Sequence, residues 1–178
     1  WIVVMSKILF ADQDGVQVLQ FVGDVRVCLG PTISTYLASI DKRRGVRAIV
    51  IDLRETTGID STSLGLLAKI SLRSQDQFKT LPTIVSTNAD ITRILLSMGF
   101  DQIFLIDQEA QYDCDQFGEL PPKIVSEAVL REQVLEAHKT LMGLNENNLI
   151  AFQDLVAALE QEQDQARGTQ PRKALAAG

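Results

Sequence analysis

Along the first 106 residues the apolar positions alternate between two periods, and each change of period marks the edge of an element. Residues 7–12 and 16–22 read as strands joined at Asp14-Gly15, a favoured hairpin turn. In the second strand Val16, Val18, Gln20 and Val22 share one face, and Gln17, Leu19 and Phe21 share the other. Gly30-Pro31 opens a helix through Ile33, Leu37 and Ile40, since proline is tolerated in a first turn. Residues 48–53 (Ala-Ile-Val-Ile-Asp-Leu) form an almost unbroken apolar run, the mark of a buried central strand parallel to a neighbour. Gly58 begins a turn, and Asp60 and Ser61 start a long helix whose apolar face is Leu64, Leu67, Ile70 and Leu72, ending near Phe78. Residues 82–87 are a further strand. Asp90 caps a short helix carrying Ile91, Ile94, Leu95 and Met98, which Gly99 ends, and residues 103–106 make the last short strand. The order β-β-α-β-α-β-α-β predicts an α/β fold: a mixed sheet with an N-terminal hairpin followed by βα units, helices packed on the sheet.

Beyond residue 107 the pattern changes. Residues 108–123, with Pro121-Pro122, sustain neither period and read as an acidic linker. Residues 126–142 carry Val129, Leu130, Val134 and Leu141 at helical spacing, Gly143 closes the run, and residues 145–162 repeat it with Leu149, Phe152, Leu155, Val156 and Leu159. This predicts a C-terminal helical hairpin over residues 124–163, either packed on the core or offered to a partner, with a flexible tail over 164–178. Residues 1–107 form the α/β domain.

Charge and composition narrow the function. The chain has 178 residues, 17 basic against 23 acidic, and 46% hydrophobic residues, enough for one substantial core. Residues 1–106 are near neutral, whereas Asp107, Glu109, Asp113, Asp115 and Glu119 follow with no basic residue between them. An acidic chain is poorly suited to gripping a phosphate backbone, so no nucleic-acid partner is expected. No apolar run reaches the 18 or so residues of a membrane span. Trp1-Ile2-Val3-Val4 lacks the basic start and long apolar stretch of a signal peptide, and Cys28 and Cys114 are widely spaced, so a cytoplasmic setting is expected.

Familiar catalytic chemistry is missing. His138 is the single histidine, three residues from both Leu135 and Leu141, and reads as a helix-face residue with no nucleophile or second ligand to attend it. Neither phosphate-binding glycine signature occurs, and no cofactor, metal site or catalytic group is expected. Asp12-Gln13-Asp14-Gly15 opens like a calcium loop, but Gly23 stands where a bidentate Glu is required. Asp12, Asp14, Asp52 and Thr87 could line a degenerate receiver-like pocket with Asp52 as phosphoacceptor. Against this, Phe104-Leu105-Ile106-Asp107 lacks the lysine of such domains.

One stretch carries more. Ile59-Asp60-Ser61-Thr62-Ser63-Leu64-Gly65-Leu66-Leu67 sets an Asp and three hydroxyls at the start of an apolar helix, where four backbone N–H groups lack partners. Capping alone explains one or two of these residues. A phosphoryl group on such a hydroxyl adds about −1.5 to −2 charges where the helix dipole favours an anion, so the fold tolerates it. A partner packed over the same helix end would have to desolvate that charge.

These residues resemble the STAS-domain family of anti-sigma-factor antagonists (anti-anti-sigma factors). The resemblance covers about residues 7–107 and rests on Val22-Gly23-Asp24-Val25, on Val50-Ile51-Asp52-Leu53, on residues 60–67, which are similar to the family's Asp-Ser-Ser-Gly-Leu-Gly motif, and on Ile94-Leu95-Leu96-Ser97-Met98-Gly99-Phe100. It implies a non-enzymatic, phosphorylation-controlled partner switch. The unphosphorylated form binds an anti-sigma factor that is also a serine/threonine switch kinase, and a PP2C-like phosphatase restores that form. By the family pattern Thr62 takes the phosphate, with Ser61 and Ser63 the next candidates, and Asp24, Arg26, Asp60, Ser61, Thr62, Ser63 and Leu64 form the partner-binding surface. Ser63 departs from the family's Gly, and Arg26 from its Asp. The resemblance leaves residues 108–178 unassigned; they could cover the switch surface, recruit a protein as a constitutive scaffold, or mediate a homodimer.

Overall fold

A computed structural model describes residues 5–168 of the chain. Strand β1 (Lys7–Gln13) pairs antiparallel with β2 (Val16–Val25), from Lys7 opposite Val22 to Gln13 opposite Val16. Asp14 and Gly15 turn between them with φ of 51° and 83°, the left-handed pair that a two-residue hairpin needs. The middle of β2 is covered on both faces: Val18, Leu19 and Phe21 are fully buried. Gln17, also buried, donates to Asp12 Oδ2 at 3.0 Å and accepts from the Tyr36 hydroxyl at 2.7 Å, so its amide is satisfied.

β2 is the spine of the sheet. β3 (Ala48–Asp52) lies parallel beside residues 16–20 of β2, and β4 (Thr56–Ile59) beside residues 23–25, taking over after a bend at residues 53–55. β5 (Thr83–Val85) and β6 (Leu105–Asp107) continue the sheet in parallel beyond β3. β7 (Gly118–Glu119) pairs antiparallel with the outer edge of β1, giving the order β6-β5-β3-β2-β1-β7 with β4 paired to β2 off that path. Helices α1 (Gly30–Ile40), α2 (Ser61–Phe78) and α3 (Ala89–Ser97) alternate with the parallel strands. Leu19, Phe21, Ile49, Ile51 and Ile84 of the sheet share one core with Ile33, Tyr36, Leu67 and Ile70 of the helices. The mixed α/β architecture thus matches the expectation from the chain's periodicity.

Several local expectations are corrected. Gly58 lies within β4, opposite Asp24 of β2, and does not begin a turn. Asn88, not Asp90, caps α3, its Oδ1 accepting from the N–H groups of Asp90 and Ile91 at 2.9 and 3.4 Å. The strand expected over 103–106 is shifted to Leu105–Asp107, and it is followed by β7. The segment 108–123 is tied down: β7 covers the edge of β1, and Pro121 O accepts from Thr32 Oγ1 at 3.4 Å. A paired edge no longer offers open N–H and C=O groups to another chain.

The C-terminal hairpin comprises α4 (Glu127–Met142), capped by Ser126, and α5 (Glu146–Gly168). It packs on the domain: α4 lies along α2, with Ala137 and Leu141 fully buried in the main core. Asn148 Nδ2 donates to Leu141 O at 2.9 Å and to Met98 O at 3.0 Å, fixing the inter-helix loop against the end of α3. The flexible tail expected from residue 164 is helical as far as Gly168; the rest of it, and residues 1–4, lie outside the described residues. Among the described residues no helix is long and apolar enough to cross a membrane.

Phe21 fills the centre of this core at 0% exposure. Phe21→Ala should cost about 3–5 kcal/mol, from lost burial and the cavity left behind. Urea unfolding followed by circular dichroism checks it.

Candidate functional site

The site is built where β4 runs into α2. Asp60 N donates to Val25 O at 3.1 Å, which keeps the chain in the sheet up to the first residue before the helix. The Asp60 carboxylate then turns back with one oxygen for each neighbour: Oδ1 accepts from Ser63 N at 2.8 Å and Oδ2 from Val27 N at 2.7 Å. The first bond caps α2. The second fixes the 3-10 turn Val27–Leu29 that leads into α1, so a single side chain sets where both helices start.

The three hydroxyls that follow have different surroundings. Ser61 is partly exposed, Thr62 is 6% exposed, and Ser63 and Leu64 are buried. Ser63 Oγ is buried without a hydrogen-bond partner among the described residues, as is Gln133 Oε1 on α4. Each such atom costs about 1–3 kcal/mol relative to a satisfied one. Asp24 and Arg26 stand exposed beside the helix start, joined by a 2.9 Å bond from Arg26 Nε to the Asp24 carboxylate. That bond raises the Arg26 guanidinium above its ordinary pKa, and Asp60 adds a weaker attraction, so Arg26 lies within the field of the capping carboxylate.

The sequence reading of His138 as a helix-face residue without a nucleophile nearby is corrected. His138 is 3% exposed and its Nε2 lies 2.8 Å from Ser61 Oγ. Its Nδ1 lies 2.7 Å from Val134 O, one turn back on α4. A carbonyl only accepts, so Nδ1 carries a proton, and in the neutral imidazole Nε2 accepts from the Ser61 hydroxyl. A hydroxyl paired with an oriented imidazole has the first parts of a nucleophile–base relay. The imidazole is buried against Phe152, with ring centroids 5.5 Å apart, and the bond joins α2 to α4. One turn along α2, a Cβ on Gly65 would run into the Ala137 carbonyl oxygen and lie 2.6 Å from its carbonyl carbon, so the two helix backbones touch.

Asp52, the phosphoacceptor of the receiver-like alternative, is unsuited to that role. Its side chain is fully buried, and it holds Arg54 Nη2 at 2.8 Å and the Tyr112 hydroxyl. Burial pushes its carboxyl up, but the hydrogen bonds from Arg54 and Tyr112 outweigh this and hold it below the ordinary carboxylate range. Burial first, and then the bond to Asp52, push the Tyr112 phenol up to about 12. Tyr112 thereby pins the acidic segment to the end of β3. No group of three or more His, Cys, Asp or Glu that could hold a metal occurs among the described residues.

No family model matches the chain, and no curated protein matches it. A solved structure does: the crystal structure of a Thermotoga maritima protein assigned provisionally as an anti-sigma factor antagonist. The match has a TM-score of 0.50 at 21% identity, covering 56% of this chain and 85% of that one. Likeness at this identity fixes the fold, which is STAS-like.

Asp60→Ala removes two bonds and should destabilise the protein by about 1–2 kcal/mol, read by urea unfolding. Tyr112→Phe should cost about 1.5–3 kcal/mol at pH 7, since the lost bond goes to a charged acceptor. Asp52 has a lowered folded pKa, so its contribution is complete above its unfolded value and fades as pH falls through the folded one. The gap between Tyr112→Phe and the parent chain should therefore narrow below about pH 4.

Proposed function

We propose that the chain is a cytoplasmic anti-sigma-factor antagonist controlled by phosphorylation at the first turn of α2. The unphosphorylated protein binds an anti-sigma factor that doubles as a serine/threonine switch kinase, using Asp24, Arg26, Asp60 and Ser61 as the accessible surface, with Thr62, Ser63 and Leu64 buried beneath them. A phosphate on Thr62, or on neighbouring Ser61, releases it, and a PP2C-like phosphatase reverses the step.

The observation that carries this reading is the run of hydroxyls at the start of α2, behind an Asp60 cap, in a STAS-like fold. The exposures order the acceptors. Ser61 is the most open, Thr62 at 6% needs the first turn to loosen before a kinase reaches its Oγ1, and Ser63 at 0% is the least suited. A phosphate here is tolerated by the helix start but not by a partner that must desolvate it beside Asp60; a loss of ~3–4 kcal/mol weakens binding roughly 100- to 1,000-fold.

Affinity for the anti-sigma factor should fall at least about 100-fold in Thr62→Glu and persist in Thr62→Ala, by calorimetry, with Ser61→Asp and Ser61→Ala run beside them. Equal affinities across both pairs overturn the switch.

A further inference from the structure

One turn beyond Ser61, Gly65 has no side chain to hold α4 off, and its backbone touches that of Ala137. That close approach brings the next residue of α4, His138, to Ser61, with Nε2 2.8 Å from Oγ. Nδ1 lies 2.7 Å from Val134 O, so the ring is oriented and its neutral form keeps Nε2 free of a proton. A hydroxyl, a base and a group that fixes the base's tautomer thus stand in line, which is the arrangement that activates a serine. Of the three hydroxyls at this helix start, Ser61 alone has a base among the described residues: Ser63 Oγ has no hydrogen-bond partner, and Thr62 is 6% exposed. Ser61 is also the most open of the three.

We propose that Ser61 is an activated nucleophile with His138 as its general base, and that it is the residue of the switch that takes the phosphate. This rests on the phosphorylation-switch reading and narrows its two acceptors to one. In the transfer, Ser61 Oγ forms a bond to the γ-phosphorus of a nucleoside triphosphate held by the kinase. The bond from that phosphorus to its bridging oxygen breaks, and the nucleoside diphosphate leaves with the electron pair. The Ser61 proton moves to His138 Nε2, and the imidazolium then faces the new anion, so its charge is paired. The contact between α2 and α4 stays closed throughout.

The test is labelling of the full chain with a fluorophosphonate, a phosphorus electrophile that needs neither kinase nor partner. Ser61 Oγ attacks phosphorus, the P–F bond breaks, fluoride leaves, and His138 takes the proton. Peptide mass spectrometry should place the label on Ser61. Ser61→Ala should abolish it, and His138→Gln, which keeps a hydrogen-bonding side chain but no base, should slow it at least about 100-fold. In the parent chain the rate should also fall in heavy water, because the proton moves as the P–O bond forms. That readout needs no variant to fold, and a bond that only joined two helices would not produce it. An unlabelled Ser61, labelling of Thr62 or Ser63 at an equal rate, full labelling in His138→Gln, or equal rates in the two solvents overturns the proposal. Labelling does not read binding, so the two readings fail separately: an unlabelled Ser61 refutes this one, and equal affinities across the phosphomimetic pairs refute the switch beneath it.

Discussion

The Asp60 carboxylate is the constraint on which the candidate site depends. Its backbone is still held by β2, while its two oxygens fix the start of α2 and of the turn into α1. Strand, helix and neighbouring helix thus meet at one anion, and the hydroxyls of residues 61–63 have set positions because of it. The same anion makes the region sensitive to charge. A second negative group would be accommodated by the free N–H groups and dipole of the helix start. Any body lying over both charges would have to remove their water, which is costly unless a cation is supplied. Arg26, already engaged by Asp24, lies within the field of Asp60.

The C-terminal hairpin meets the same helix. α4 is against α2, with backbone contact at Gly65 and Ala137 and a hydrogen bond from Ser61 to His138. The hairpin is also joined to the domain through Asn148 to Met98 and through Leu141 in the core. Asp52, Arg54 and Tyr112 hold the acidic segment ahead of it to the sheet.

The parts of the fold governed by local periodicity were readable from the chain. The Asp14-Gly15 turn, the apolar run of β3, and the Asp-plus-hydroxyl start of α2 each carry their own signal, and all three stand where expected. β4 was not readable, because Thr56-Thr57-Gly58-Ile59 is short, contains glycine, and is a strand only through its pairing with β2. β7 is two residues long and exists only because the edge of β1 was open. At α3 two good capping residues compete, and the extended backbone of Asn88 decides between them. The burial of His138 was half legible, in its spacing from Leu135 and Leu141. Its bond to Ser61 spans 77 residues and has no local trace. Tyr112 was hidden likewise, in a segment whose charge suggested a solvated linker.

Phosphate mapping by mass spectrometry, on protein purified from its native host, tests the central claim most directly. The account predicts an acid-stable phosphoester within the peptide spanning residues 60–67, on Ser61 or Thr62. An acid-labile acyl phosphate, or a phosphoester confined to residues outside that peptide, would contradict it.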